Sequence, residues 1–251
     1  MTNNDTLPDD FGRSFIRGLR DILGGAAEPL GDLDRRAGDG DFGTNVRTAM
    51  KLADRNIEDG EPSSYREWVT AMYMAWLGVG GTSGPLFGMF FRDLAKAADG
   101  EGAPTLAQFA DALGAGQATV QKYGEAKVGD KTMVDALDPA VTALRGAVDA
   151  GKDASSALAE AEQAAVEAAR ATAETVARRG RASYVGDVAG SHRPRRRRDR
   201  ARDRCRPRRR RRRRRGHRLD RLSGPYGSGR RQPVRLSESR ESCACRRRSR
   251  R

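Results

Sequence analysis

Residues 1–190 predict an all-α domain, an antiparallel bundle of helices joined by short loops. Three observations lead there. Apolar residues recur at helical spacing in one segment after another, and no segment alternates with period two. The breaks between segments carry Gly, Pro, Ser, Thr and Asp where helix caps belong.

The elements follow in order. Phe11, Phe15, Leu19, Ile22 and Leu23 form a first amphipathic stripe, and Val46, Ala49, Met50, Ala53 and Ile57 a second. Ser64 with Glu67 is a capping box that opens a third helix through Leu77. Trp68, Val69, Met72, Met74 and Trp76 make this helix apolar nearly all round, which suits a central position. Thr82 and Ser83 are N-cap candidates ahead of Pro85, at the start of a fourth helix with Phe87, Phe90, Phe91 and Leu94. Thr105 to Tyr123 is a fifth. Asp130 to Ala150 is a sixth helix, or a sixth and a seventh, interrupted at Asp138-Pro139. Asp153 to Arg179 is a long Ala/Glu helix with Gly180 as its C-cap.

Charge divides the chain in two. The formal net charge is +14, yet residues 191–251 hold 28 Arg, no Lys and 5 acidic residues. The body, residues 1–190, keeps 20 basic and 29 acidic residues and is acidic. All three Cys and both His also lie beyond residue 190. The body therefore excludes disulfides, thiol nucleophiles, Cys/His zinc sites and imidazole catalysis. It has no apolar run near 18 residues and no signal peptide, so a soluble, cytoplasmic domain with no membrane contact is expected.

Three loops carry more chemistry than a bundle connection requires. Asp34, Asp39 and Asp41 fall within eight residues, the last two flanking Gly40. Like charges held so close call for a cation between them, and carboxylate oxygens are hard ligands of the kind that hold Mg²⁺ beside phosphates. Gly38, Gly40 and Gly43 are expected to supply positive φ around them. Read as a loop alone, the same stretch is equally an Asx turn with Asp41 as the N-cap of the next helix. The run from Gly78 to Pro85 leads into a helix N-terminus, where unpaired N–H groups and the helix dipole favour a phosphate. Alone, it is also a glycine-rich turn that lets helices pack closely. In the third loop, from Gly124 to Ala136, Lys, Asp and Thr suit polar ligand contacts, and Met133 offers an apolar surface to a base. Taken by itself, this loop reads as a capped helix start with a solvated Lys.

Together these stretches resemble the nucleotide-binding L subunit of dihydroxyacetone kinase. The family's motifs stand here as Leu33-Asp34, Gly38-Asp-Gly-Asp-Phe-Gly-Thr-Asn45, Gly80-Gly-Thr-Ser-Gly-Pro-Leu86, Gly129-Asp-Lys-Thr-Met-Val-Asp-Ala136 and Gly180-Arg-Ala-Ser-Tyr-Val-Gly186. The resemblance implies an eight-helix antiparallel barrel with ADP or ATP and two Mg²⁺ ions at one end. By motif position, Asp34, Asp39 and Asp41 would hold the metals. Phe42, Gly43, Thr44, Asn45, Thr82, Ser83, Gly124, Met133 and Arg181 would contact the nucleotide. It further implies a kinase subunit that transfers a phosphoryl group to dihydroxyacetone or a related small ketose. The partner is a K subunit that holds the ketose covalently, and a homodimer is expected. The donor is ATP, or a phosphohistidine protein of the sugar phosphotransferase system that recharges bound ADP. A body without His or Cys fits this division of labour, since phosphoryl transfer depends mostly on positioning and charge neutralisation.

Two departures stand out. Many members of the family carry His where Phe42 stands; a contact through the backbone N–H would be served equally by Phe. After Gly186 the family continues with a Gly-His-x-Asp-Pro-Gly-Ala segment and a closing helix, whereas here the chain runs into arginine. The final helix is therefore expected to be missing and residues 191–251 to be disordered. The abrupt onset, the absence of Lys and the Arg/Pro/Gly/Ser bias read as an out-of-frame translation of a GC-rich gene. Taken at face value, the same tail is a polyelectrolyte that would bind nucleic acid non-specifically. A nearer rival is the nucleotide-binding domain of fatty-acid kinases, which shares an Asp-Gly-Asp-x-Gly-Thr-Asn stretch. Its second glycine loop usually reads Arg-Gly-Asn-Ser-Gly; the Gly-Gly-Thr-Ser-Gly-Pro-Leu found here favours the triose kinase.

Overall fold

A computed structural model describes residues 6–185 of the chain, apart from residues 99 and 101. Seven α-helices make up most of this span: α1 Phe11–Ala37, α2 Phe42–Gly60, α3 Tyr65–Leu77, α4 Ser83–Leu94, α5 Leu106–Gly124, α6 Val134–Asp149 and α7 Ala154–Ala171. Short 3₁₀ turns follow α4 and α7, and a third covers Arg181–Val185. Each helix packs on the next in sequence, and α1 also reaches α3. Among the described residues the β content is one isolated bridge, Thr6 to Thr105. The expected closing helix, the disorder of residues 191–251 and their reading as a frameshift product lie outside the described residues.

The caps set the helix starts. Ser64 accepts from the Glu67 N–H while the Glu67 carboxylate accepts from the Ser64 N–H, and Thr105 makes the same reciprocal pair with Gln108. These bonds satisfy donors that the first turn of a helix cannot pair internally. Burial then fixes the faces. Val46, Ala49 and Ala53 of α2 meet Val69, Met72 and Trp76 of α3 in one continuous core. Phe11 stacks on Phe15 and Tyr65 and meets Phe109 edge-on, which joins α1, α3 and α5. A second aromatic chain runs toward the glycine loops: Trp76 stacks on Phe87 at 4.4 Å, and Phe87 lies 5.9 Å from Phe42.

Several expectations are corrected. Ile22 does not belong to the core stripe of α1; it is 70% exposed. Met74 is half-exposed, so α3 is buried on one broad face and not all round. α6 starts at Val134, because Gly129 and Lys131 take positive φ and fold residues 127–133 into a turn. It then continues through Pro139 without a break. Buried Val134, Ala140, Val141 and Leu144 hold it from the core side, and Gln117 of α5 donates to Asp138 at 2.7 Å. Tertiary packing here outweighs the hydrogen bond that proline removes.

α7 ends at Ala171 and not at Arg179. After one 3₁₀ turn the backbone is extended at Thr175 and crosses the turn before α6. The Arg178 N–H donates to the Asp130 carbonyl at 3.0 Å, and the Lys131 ammonium donates to the Thr175 carbonyl at 3.0 Å. Gly180 does have positive φ, but it sits before the last 3₁₀ turn and does not cap α7.

Candidate functional site

The α1–α2 connection brings the three carboxylates together. Asp34 lies in the last turns of α1, Asp39 in the connection, and Asp41 at the N-cap position of α2. One oxygen from each lies within 4.8 Å of the others. Only one of the three glycines works by positive φ: Gly40, at +82°. Gly43 is helical and serves close approach instead. A Cβ there would overlap the Ala27 carbonyl oxygen and the Gly31 backbone, so α1 and α2 meet along bare backbone. This is a correction to the expectation that all three glycines supply unusual φ.

Asp41 occupies the N-cap position, yet its side chain makes no capping bond. The first amide of α2 is served from the other helix: the Phe42 N–H donates to Asp34 at 3.0 Å. The Asp41 carboxylate is therefore not consumed by the local fold. Three hard oxygen donors so close form a set of the kind that suits Mg²⁺, and Arg181, paired to Asp39 at 3.2 Å, is a cation already beside them.

The carboxylates border a cleft of about 570 Å³. Phe42 and the α4 start, Gly81, Thr82 and Ser83, form one side. Thr82 is the N-cap of α4 and makes no side-chain capping bond. Ser83 accepts from the Asn45 amide at 3.2 Å. Leu86, Val120, Ala126 and Met133 supply an apolar wall, with Gly124 and the exposed Tyr123 beside it. Lys131, Thr132 and the segment from Arg179 to Ala182 complete the lining.

Of the twelve residues singled out in the sequence, nine line this cleft: Asp34, Asp39, Asp41, Phe42, Thr82, Ser83, Gly124, Met133 and Arg181. Gly43 and Thr44 border a smaller polar cavity behind the α2 start, together with Arg35 and Arg47. Asn45 lines neither cavity and acts through Ser83. Lys131 and Thr132 belong to the loop whose Lys, Asp and Thr suit polar ligand contacts, while nothing in the sequence singles out Arg179.

Comparison with known proteins agrees with this architecture. The family described as "DAK2 domain" matches residues 36–193. The chain belongs to this family. Among its relatives is the PEP-dependent dihydroxyacetone kinase 1, ADP-binding subunit DhaL, of Listeria innocua, 33% identical over 113 residues, or 45% of this chain and 57% of that one. The corresponding Escherichia coli subunit is 34% identical over 180 residues, covering 68% of this chain and 82% of that one. Human triokinase/FMN cyclase is 36% identical over 115 residues, 45% of this chain and 20% of that one. The aligned region thus spans little more than half of the Listeria subunit and a fifth of the human protein. In structure, the chain is similar to the native form of the dihydroxyacetone kinase of C. freundii, with TM-score 0.52 and 25% identity over 75% of this chain and 33% of that one. The all-helical fold is therefore of the DhaL type. Among the described residues, no helix is long and apolar enough to cross a membrane.

Proposed function

We propose that this chain is the nucleotide-binding subunit of a dihydroxyacetone kinase and that the cleft holds Mg·ADP or Mg·ATP. The observation that carries the reading is the meeting of two features in one cavity: three clustered carboxylates, of which Asp41 makes no capping bond, and the starts of α2 and α4. A helix start offers unpaired N–H groups and the positive end of its dipole, the environment a polyphosphate favours. Asp34, Asp39 and Asp41 would hold two Mg²⁺ ions, which neutralise phosphate charge. The Thr82 and Ser83 hydroxyls and the Arg181 guanidinium supply further donors to phosphate oxygens. Leu86, Val120 and Met133 accept the base by apolar contact.

Residues 1–190 contain no Cys, no His and therefore no imidazole or thiol to hold a ketose covalently. By the family resemblance the acceptor is dihydroxyacetone, or a related small ketose, held on a partner K subunit. The chain presents the terminal phosphoryl group to it. The relatives' names include both PEP-dependent and PTS-dependent kinases, which supports a phosphohistidine protein as donor to bound ADP. The test is a coupled assay of dihydroxyacetone phosphate with the full chain, alone and with a K subunit, supplied either with ATP or with the phosphotransferase proteins. Product should form only when the K subunit is present. Turnover by the single chain, or none under any combination, contradicts the assignment.

A further inference from the structure

Lys131 stands in the cleft with φ of +60°, the left-handed region that side chains rarely adopt. The turn that holds it is braced from within. Asp130 accepts from the Lys127 N–H at 2.9 Å, and Asp135 accepts from the Gly129 and Thr132 N–H groups at 2.5 and 2.7 Å. Both carboxylates are buried. Glycine would take this conformation without strain, as Gly129 does two residues earlier. Backbone strain that a neighbouring glycine shows to be avoidable calls for a role that the side chain supplies.

The ammonium donates to the Thr175 carbonyl at 3.0 Å, 44 residues away. Thr175 opens the extended stretch that crosses this turn and leads to Arg179–Ala182, one wall of the cleft. Two further ties join the same pieces: the Arg178 N–H on the Asp130 carbonyl, and Arg179 on Glu125 at 3.2 Å. The Arg179–Glu125 pair is exposed and contributes little. Beyond these ties, Arg181 pairs with Asp39 at 3.2 Å.

We infer that Lys131 is a positioning residue for the nucleotide: by holding the Thr175 carbonyl it sets the Arg179–Ala182 wall and, with it, Arg181 opposite Asp39. The inference rests on the nucleotide reading of the cleft. Its test uses the full chain, calorimetric titration with Mg·ADP and thermal melting. Lys131→Met keeps the stem and removes the ammonium, and Mg·ADP affinity should fall about tenfold, as for loss of one charge-assisted hydrogen bond. Lys131→Gly should weaken binding alike while its melting temperature stays the same or rises, because the strained φ is relieved. Lys131→Arg should retain most of the affinity. In an Arg181→Gln background, Lys131→Met should cost no more than about twofold, since residues that act through one another are not additive.

Additive losses in that double substitution would overturn the inference, as would a parallel fall of melting temperature and affinity in Lys131→Gly. Mg·ADP binding indifferent to Lys131 sinks the inference alone. No Mg·ADP binding by the unsubstituted chain sinks the nucleotide reading and the inference with it.

Discussion

Asn45 donates its side-chain amide to the Ser83 hydroxyl at 3.2 Å, tying the first turn of α2 to the first turn of α4. The two helix starts that flank the cleft are thereby held at a fixed separation. A net hydrogen bond of this kind contributes about 0.5–1.5 kcal/mol. Asn45→Ala should therefore weaken Mg·ADP binding by about threefold to tenfold, although Asn45 does not line the cleft. Ser83→Ala should cost more, because it also removes a hydroxyl from the lining. Calorimetry on the two variants orders them.

Asp93 should contribute to acid stability. It is buried near the end of α4 and accepts from Lys96 at 2.6 Å, Thr119 of α5 at 2.5 Å and Arg92 at 3.1 Å. Burial pushes its carboxyl up, but the bonds from Lys96, Thr119 and Arg92 outweigh burial and leave it below the ordinary value of 3.8. A carboxyl depressed in the folded state contributes fully above its ordinary value, and the contribution is lost as pH falls through the lower folded value. Asp93→Asn should flatten the acid limb of the stability curve. At neutral pH it should cost about 2 kcal/mol, less than for a wholly buried pair because Lys96 and Arg92 are partly solvated. Urea unfolding as a function of pH measures both.

Glycines of α1 and α2 should respond in opposite directions. Gly24 and Gly25 are helical, exposed and open, with no atom within 4 Å of an added Cβ. Gly24→Ala and Gly25→Ala should each stabilise by about 0.5–1 kcal/mol. Gly43→Ala drives a methyl into the Ala27 carbonyl and the Gly31 backbone, and should destabilise by about 1–3 kcal/mol. Chemical denaturation of the three variants distinguishes the cases.

What was legible in the sequence was what is local. The Ser64–Glu67 box and the apolar spacing of α2 set their elements correctly, because caps and periodicity act within a few residues. The carboxylate cluster was legible because its members are close along the chain. The end of α7 was not. Thr172 and Thr175 are weak helix formers, but the ties that pull the backbone away come from Asp130 and Lys131, more than 40 residues upstream. Pro139 misled for the same reason: the packing that carries α6 past it lies on other helices. The left-handed turn at Lys131 has no glycine to announce it, so the loop reads in the sequence as a capped helix start.

The account turns on whether Asp34, Asp39 and Asp41 bind metal with nucleotide or merely shape a helix start. Titration of ADP into the full chain, with and without Mg²⁺, tests this most directly when paired with Asp41→Asn. Because the Asp41 side chain makes no capping bond, Asp41→Asn should leave the melting temperature of the ligand-free chain unchanged. ADP should bind only with Mg²⁺ present, and Asp41→Asn should weaken that binding at least tenfold, or about 1.4 kcal/mol. Metal-independent binding, or an Asp41→Asn chain that melts earlier yet binds Mg·ADP as before, would return the cluster to the role of a helix cap and contradict the account.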